Sequence, residues 1–156
     1  MYITNQHMNI TLKATVQGNY KTVMAAFDRK LFEALKPSAG KMEIVSFTGS
    51  KKGDKVHMKF ISPVKSEWIS DIVEDNVTDE RAWFVDVGTQ LPWPLATWTH
   101  KHIVEKVDEH TSVIIDDMTF TGKNALLTLL LYPAIFIGFY PRNKIYQSYF
   151  KKVNLT

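Results

Sequence analysis

Cysteine is absent from the 156 residues. The chain therefore has no thiol nucleophile, no Cys-based zinc site and no disulfide framework, and the absence fits a reducing compartment, with the cytoplasm as the expected location. An excess of charge of either sign is also missing: 19 Lys and Arg stand against 16 Asp and Glu, a net charge of +3. With no Lys/Arg stripe, no zinc-finger spacing and no RNP-like aromatic motif, nucleic acid is not expected as a partner. The sequence has no GxSxG elbow, no HExxH pair and no phosphate-cradling glycine loop, so hydrolase, zincin and nucleotide chemistry lose their usual signatures. Residues 1–9 show neither the basic nor the apolar region of a signal peptide.

What is present is apolar and aromatic. Hydrophobic residues make up 45% of the chain and charged ones 22%, enough to bury a core and too little charge for disorder. Nine Phe, six Tyr and four Trp exceed what such a core needs, so part of the aromatic surface is expected to line a cavity. No repeat or Ser/Pro-rich linker interrupts the chain, and one domain over 1–156 is expected.

Periodicity gives the elements. Ile10, Leu12, Ala14 and Val16 alternate with polar residues as in a half-buried strand, and Gly18-Asn19 ends it. Val23, Ala26, Phe27, Leu31 and Leu35 then recur at helical spacing up to Pro37, as one helix or two short ones. Alternating runs follow over 42–47, 56–61, 68–73, 82–87, 97–107 and 112–120, separated by short polar or Gly/Pro-bearing turns, which predicts an antiparallel meander.

The last segment is different. No charge occurs from 125 to 140, and Pro133 and Pro141 punctuate the run; at this length it is short for a bilayer span, and a kinked helix buried under the curved sheet is expected instead. From 123 to 156 there are five basic residues (Lys123, Arg142, Lys144, Lys151 and Lys152) and no acidic one. Peripheral association of 125–152 with a membrane surface is therefore an alternative reading.

Candidate chemistry gathers in two places. On a helix after Pro141, Arg142 lies at the centre of the apolar stripe of Ile145, Tyr146, Tyr149, Phe150 and Val153, so it needs either a protein carboxylate (Asp86, Asp116 or Asp117) or an acidic group on a ligand. Gly138 on the same side either opens space or marks a bend. Trp98, His100 and His102 share one strand face; such a His pair can seed a metal site or sit hydrogen-bonded to carboxylates, and with no third ligand fixed by spacing no metal is expected. Asp116 and Asp117 point to opposite faces, one of them toward the helix. Trp68, Trp83 and Trp98 are pocket or core residues, and Trp93, between Pro92 and Pro94, is a rim or lid residue.

The succession Phe84-x-Asp86, Leu91-Pro92-Trp93, Trp98-x-His100-x-His102, 111–117 with Phe120, and Phe139-x-x-Arg142 resembles members of the SRPBCC superfamily, the START-like or Bet v 1-like helix-grip proteins, over nearly the whole chain. The resemblance implies an α+β fold in which a seven-stranded curved antiparallel sheet wraps a long kinked C-terminal helix, with two short helices after strand one. It also implies a cavity for lipids, polyketides or other hydrophobic molecules, without a cofactor. Carried over by position, Asp86, His100, His102, Asp117 and Arg142 match the recurrent polar residues. The expected ligand-binding set is Trp68, Trp83, Asp86, Trp93, Trp98, His100, His102, Asp117, Phe139, Arg142 and Tyr146. Binding, sequestration or transfer of a small hydrophobic ligand is the leading expectation. A cyclase or dehydratase with His100 or His102 as base, and Asp117 or Arg142 orienting substrate, is the alternative.

Overall fold

The structure, a computed structural model, describes residues 6–153. Its elements are β1 (Met8–Gln17), α1 (Tyr20–Ala25), α2 (Arg29–Ala34), β2 (Lys41–Phe47), β3 (Lys55–Ser62), β4 (Ser66–Val77), β5 (Arg81–Gln90), β6 (Leu95–Lys106), β7 (Thr111–Gly122), α3 (Ala125–Phe139) and α4 (Arg142–Val153). The strands form one antiparallel sheet in the order β1-β7-β6-β5-β4-β3-β2: β2 to β7 make the meander that the alternating runs predict, and β1 joins it at β7. β1 buries Ile10, Leu12, Ala14 and Val16 and exposes the residues between them. Register shifts at Ile44/Ser46, Ile69/Ser70, Ile72/Glu74 and Leu95/Thr97 insert residues on one side of the ladder, which bends strands and deepens the twist.

The two short helices follow from caps. Asn19 Oδ1 accepts from Lys21 N–H, and Asp28 Oδ1 accepts from Leu31 N–H at 3.0 Å, each satisfying a donor that the first turn leaves open. Because α1 and α2 are one to two turns long, their hold comes from packing rather than propensity: Val23, Phe27 and Leu31 join Phe84, Val104, Ile114, Tyr146 and Phe150 in one apolar cluster. A second cluster joins Ile10, Leu12, Trp98, Met118 and Phe120 to Ile135 of α3. Along β6 and β7 the residues between these two clusters are His100, His102 and Asp116, so a polar band separates two apolar cores.

Asn124 caps α3 through Leu127 N–H, and the helix is seated by a close approach. Thr128 Oγ1 accepts from Gly122 N–H at 2.8 Å, and a Cβ on Gly122 would stand 2.7 Å from the Thr128 nitrogen, so glycine is required where β7 passes under α3. Tyr140 and Pro141 separate α3 from α4 while Tyr140 keeps helical dihedrals, so the long C-terminal helix is interrupted at a proline that lacks a donor.

The expectation that the uncharged run is buried needs correction. Thr128 and Ile135 are buried and Leu131 and Phe139 partly so, whereas Leu126, Leu129, Leu130, Phe136, Ile137 and Tyr140 are exposed. The physical reason is geometric: a helix resting on one sheet buries one stripe, and a segment apolar on every side has apolar residues left over for the other.

Candidate functional site

Between the sheet, α2 and α3 lies a cavity of about 300 Å³. Its apolar lining comes from Phe27 and Leu31, from Met42, Phe47, Val56, Met58, Phe60, Trp68 and Ile72 on β2 to β4, from Phe84 and Trp98, and from Ala134, Ile135 and Phe139 of α3. Its polar lining includes Ser70, Asp86, His100, His102 and Arg142. Trp68 stands edge-on to Trp98 at 4.8 Å and donates its Nε1–H to Ser70. Gly138, exposed and lining the cavity, is at its rim, and a Cβ built there meets nothing within 4 Å.

Strand period places the polar wall. Asp86 on β5, His100 and His102 on β6, and Asp116 on β7 all project to the concave face, and the ladder sets Asp86 opposite His100 and His102 opposite Asp116. The hydrogen bonds run along the diagonals instead. His102 Nε2 is 2.9 Å from Asp86, and His100 Nε2 is 2.9 Å from Asp116, while the directly opposed pairs stand at 3.7 and 3.6 Å. The two imidazoles lie with centroids 3.7 Å apart, and His102 also stacks on Phe84 at 4.2 Å. Trp98 Nε1–H donates to Asp86, and the Tyr146 hydroxyl donates to Asp116 at 3.4 Å. All four ionisable groups of the wall are buried.

Burial of this depth opposes every charge, yet both carboxyls stay ionised. For Asp116, desolvation pushes upward, but the His100 hydrogen bond and the charges of His100, Arg142 and His102 hold the pKa down to about 2. Asp86 is likewise held below the usual carboxylate range, its desolvation outweighed by the His102 hydrogen bond and the neighbouring imidazoles. Desolvation and the adjacent His100 lower His102 to about 4 in spite of the two carboxylates. His102 is therefore neutral at pH 7, and two imidazolium rings at 3.7 Å would repel strongly. With Nε2–H committed to Asp86, His102 Nδ1 is a buried acceptor with no hydrogen-bond partner. Desolvation and the Asp116 charge raise Tyr146 far above an ordinary phenol, so its hydroxyl keeps its proton.

Arg142 reaches the cavity from the start of α4, half-buried, with its guanidinium over the Phe139 ring at 4.1 Å. Among the described residues no carboxylate lies within 4.0 Å of it, although its charge is felt at Asp116. Asp86, His100 and His102 each offer one donor atom, all within 4.8 Å of one another, and these are the residues that could hold a cation.

Seven of the expected residues, Trp68, Asp86, Trp98, His100, His102, Phe139 and Arg142, come together at the cavity. Four do not. Asp117 points to the convex face and accepts from Asn9 and Thr11; Asp116, one residue earlier, is the inward carboxylate. Trp83 also faces outward, bonded to Glu74 and covered by Arg81 and Lys101. Trp93 is 75% exposed in its turn and is not among the residues that line the cavity. Tyr146 is fully buried behind the polar wall, in the core rather than on the cavity surface. Ser70, Leu31 and Phe27 line the cavity without having been singled out. Ser70 carried a signal, because it shares strand parity with Trp68 and Ile72.

No family model matches the sequence and no curated protein does. Solved structures do match. The Zhui aromatase/cyclase from Streptomyces sp. R1128 superposes with a TM-score of 0.72 at 10% identity, covering 94% of this chain and 95% of that one. A hypothetical protein from Helicobacter pylori gives 0.67 at 14% identity, covering 94% and 89%, and norcoclaurine synthase from Thalictrum flavum gives 0.60 at 14%, covering 78% and 80%. At such identities the shared property is the architecture: the chain has the helix-grip fold, a curled seven-stranded antiparallel sheet with a long C-terminal helix.

Proposed function

We propose that the protein binds a small, largely apolar molecule in the cavity beneath α3 and sequesters or transfers it. The observation that carries this reading is an aromatic-lined cavity with one cation in its lining, the Arg142 guanidinium, which has no carboxylate within 4.0 Å among the described residues. Apolar burial supplies affinity, and the guanidinium orients a ligand that carries an acidic function. A volume of about 300 Å³ sits at the lower end of ligand pockets, which favours a molecule of a few rings over a long-chain lipid. Native mass spectrometry of the purified protein, followed by titration with the fluorescent anion anilinonaphthalene sulfonate, tests it. Saturable one-to-one binding is expected; a crystal showing a filled interior, with no probe uptake, would discard the proposal.

A second reading is favoured by the His100–Asp116 and His102–Asp86 pairs, which place two carboxylate-bonded imidazoles in the lining of the cavity. That is the equipment of a general base, and the aromatase/cyclase and norcoclaurine synthase of the same fold make cyclase-type chemistry a concrete alternative. In this reading Asp86 and Asp116 take the part that was expected of Asp117. Deuterium uptake from solvent into a bound β-diketone probe separates the two readings: loss of exchange in His102→Asn with probe binding intact supports catalysis, and equal rates in the variant and the parent remove it.

A further inference from the structure

The outward side of the C-terminal helices has a pattern that the cavity does not explain. Leu130, Ile137, Lys144 and Lys151 recur every seven residues and are all exposed, so at helical spacing they fall on one side with a drift of only about 20° per step, and exposed Lys123 stands just ahead of the Asn124 cap at the start of the same run. Leu126 and Tyr140 widen the apolar middle of that line. Beside its Lys123 end stands Trp93, whose turn is tied to the helix by Lys123 N–H donating to the Pro94 carbonyl at 3.0 Å. The order along the line is cation, apolar centre, cation, with no acidic residue from 123 to 156.

We propose that this face rests on the surface of an anionic lipid bilayer, its leucine, isoleucine and aromatic side chains entering the headgroup boundary while the lysines engage lipid phosphates and carboxylates. Charge complementarity selects this partner: a greasy strip bordered by cations at both ends is the pattern of a helix lying in the membrane interface, and Trp and Tyr at its edge are at home at that depth. Ala125–Val153 is long and apolar enough to cross a bilayer by composition, but three features keep it flat. α3 has 15 residues, about 22 Å, against a hydrocarbon core of about 30 Å. Thr128 is fastened to Gly122, and Ile135 is buried in the sheet-side core. Lys144 follows within one turn of Pro141. The inference is independent of what the cavity holds, so a negative result in the cavity experiments leaves it standing, and the reverse.

Flotation of the full chain tests it, using vesicles of phosphatidylcholine alone and of phosphatidylcholine with about one-third phosphatidylserine. Binding to the anionic vesicles is expected to exceed that to the neutral ones by about tenfold and to fall with added salt. Leu130→Glu/Ile137→Glu and Lys144→Glu/Lys151→Glu are expected to abolish it, while Val107→Glu, an exposed apolar site in the turn between β6 and β7, leaves it intact. Circular dichroism and an unchanged melting temperature certify that the variants fold. Failure of the parent to float, undiminished flotation of both double variants, resistance to alkaline carbonate extraction, or a dimer in light scattering that Leu130→Glu/Ile137→Glu dissolves without any vesicle binding would each overturn the proposal.

Discussion

His102 passes over Asp116, its direct partner across the β6–β7 ladder, and hydrogen-bonds Asp86 on the other side at 2.9 Å. His100 does the converse with Asp116. The crossing brings the two rings to a centroid distance of 3.7 Å, tilted by 32°, and ties three strands together through side chains in the middle of the concave face. Each carboxylate thus receives two donors, one imidazole and one aromatic N–H or O–H, which is what allows two buried anions to persist.

The adjacent carboxylates Asp116 and Asp117 are expected to respond very differently to the same change. Asp116→Asn removes a buried charge on which His100 and Tyr146 depend, at a cost of about 3 kcal/mol. Asp117→Asn alters only an exposed network with Asn9 and Thr11 and stays within about 0.5 kcal/mol. Urea unfolding of the two variants checks the contrast, and equal costs would refute the facing assigned to the pair.

Stability should fall on acidification well before the carboxyls titrate. His102 has its pKa lowered from 6.5 to about 4, so between those values the unfolded chain binds the extra proton and the folded one does not. Stability from this group is fully present above pH 6.5 and is lost as pH falls toward 4, at roughly 1 kcal/mol per pH unit. Asp116, lowered from 3.8 to about 2, extends the same trend below pH 3.8. Denaturant midpoints measured from pH 7 to pH 4 should decline in the parent and decline less in His102→Phe; a flat profile in the parent would contradict the buried neutral imidazole.

Arg142 is expected to select acidic ligands. Arg142→Leu should weaken anilinonaphthalene sulfonate by about tenfold, equivalent to about 1.4 kcal/mol, and leave the uncharged phenylnaphthylamine nearly unaffected; Arg142→Lys should retain part of the preference, since it keeps charge but not the planar fork. Equal losses for both probes would point to a packing role over Phe139 instead.

Two glycines should behave oppositely. Gly138→Ala adds a helix-favouring Cβ where nothing stands within 4 Å and is expected to stabilise by about 0.5–1 kcal/mol. Gly122→Ala drives its Cβ against the Thr128 nitrogen and the Leu127 carbonyl carbon and should cost about 1–3 kcal/mol. Thermal melting of the two variants decides, and a neutral Gly122→Ala would mean that α3 sits further from β7 than described.

The β2-to-β7 meander and the shared facing of Trp98, His100 and His102 were readable from alternation, because a side chain two positions along must face the same way. Alternation failed where both faces carry large groups. Trp83 is aromatic yet outward, sheltered by two cations, and β7 buries both Ile114 and Ile115, so the parity of Asp116 against Asp117 had to be fixed by their pairing with Leu12 and Thr11. The exposure of α3 was illegible for a related reason: a segment without polar residues has no wet face to mark which stripe turns inward. The diagonal bonding of the imidazoles lies beyond any periodic pattern, since it depends on side-chain reach rather than on spacing.

Among the described residues, α3 makes its side-chain hydrogen bonds at Thr128, near its first turn, while at the far end α4 is locked in by the burial of Tyr146 and Phe150. The stretch that roofs the cavity is thus a beam pinned at its two ends, with dispersion contacts alone along its length. Such a beam bows sideways at little enthalpic expense, so under the proposed ligand-binding role cargo would exchange by flexure of one helix while the sheet keeps its shape.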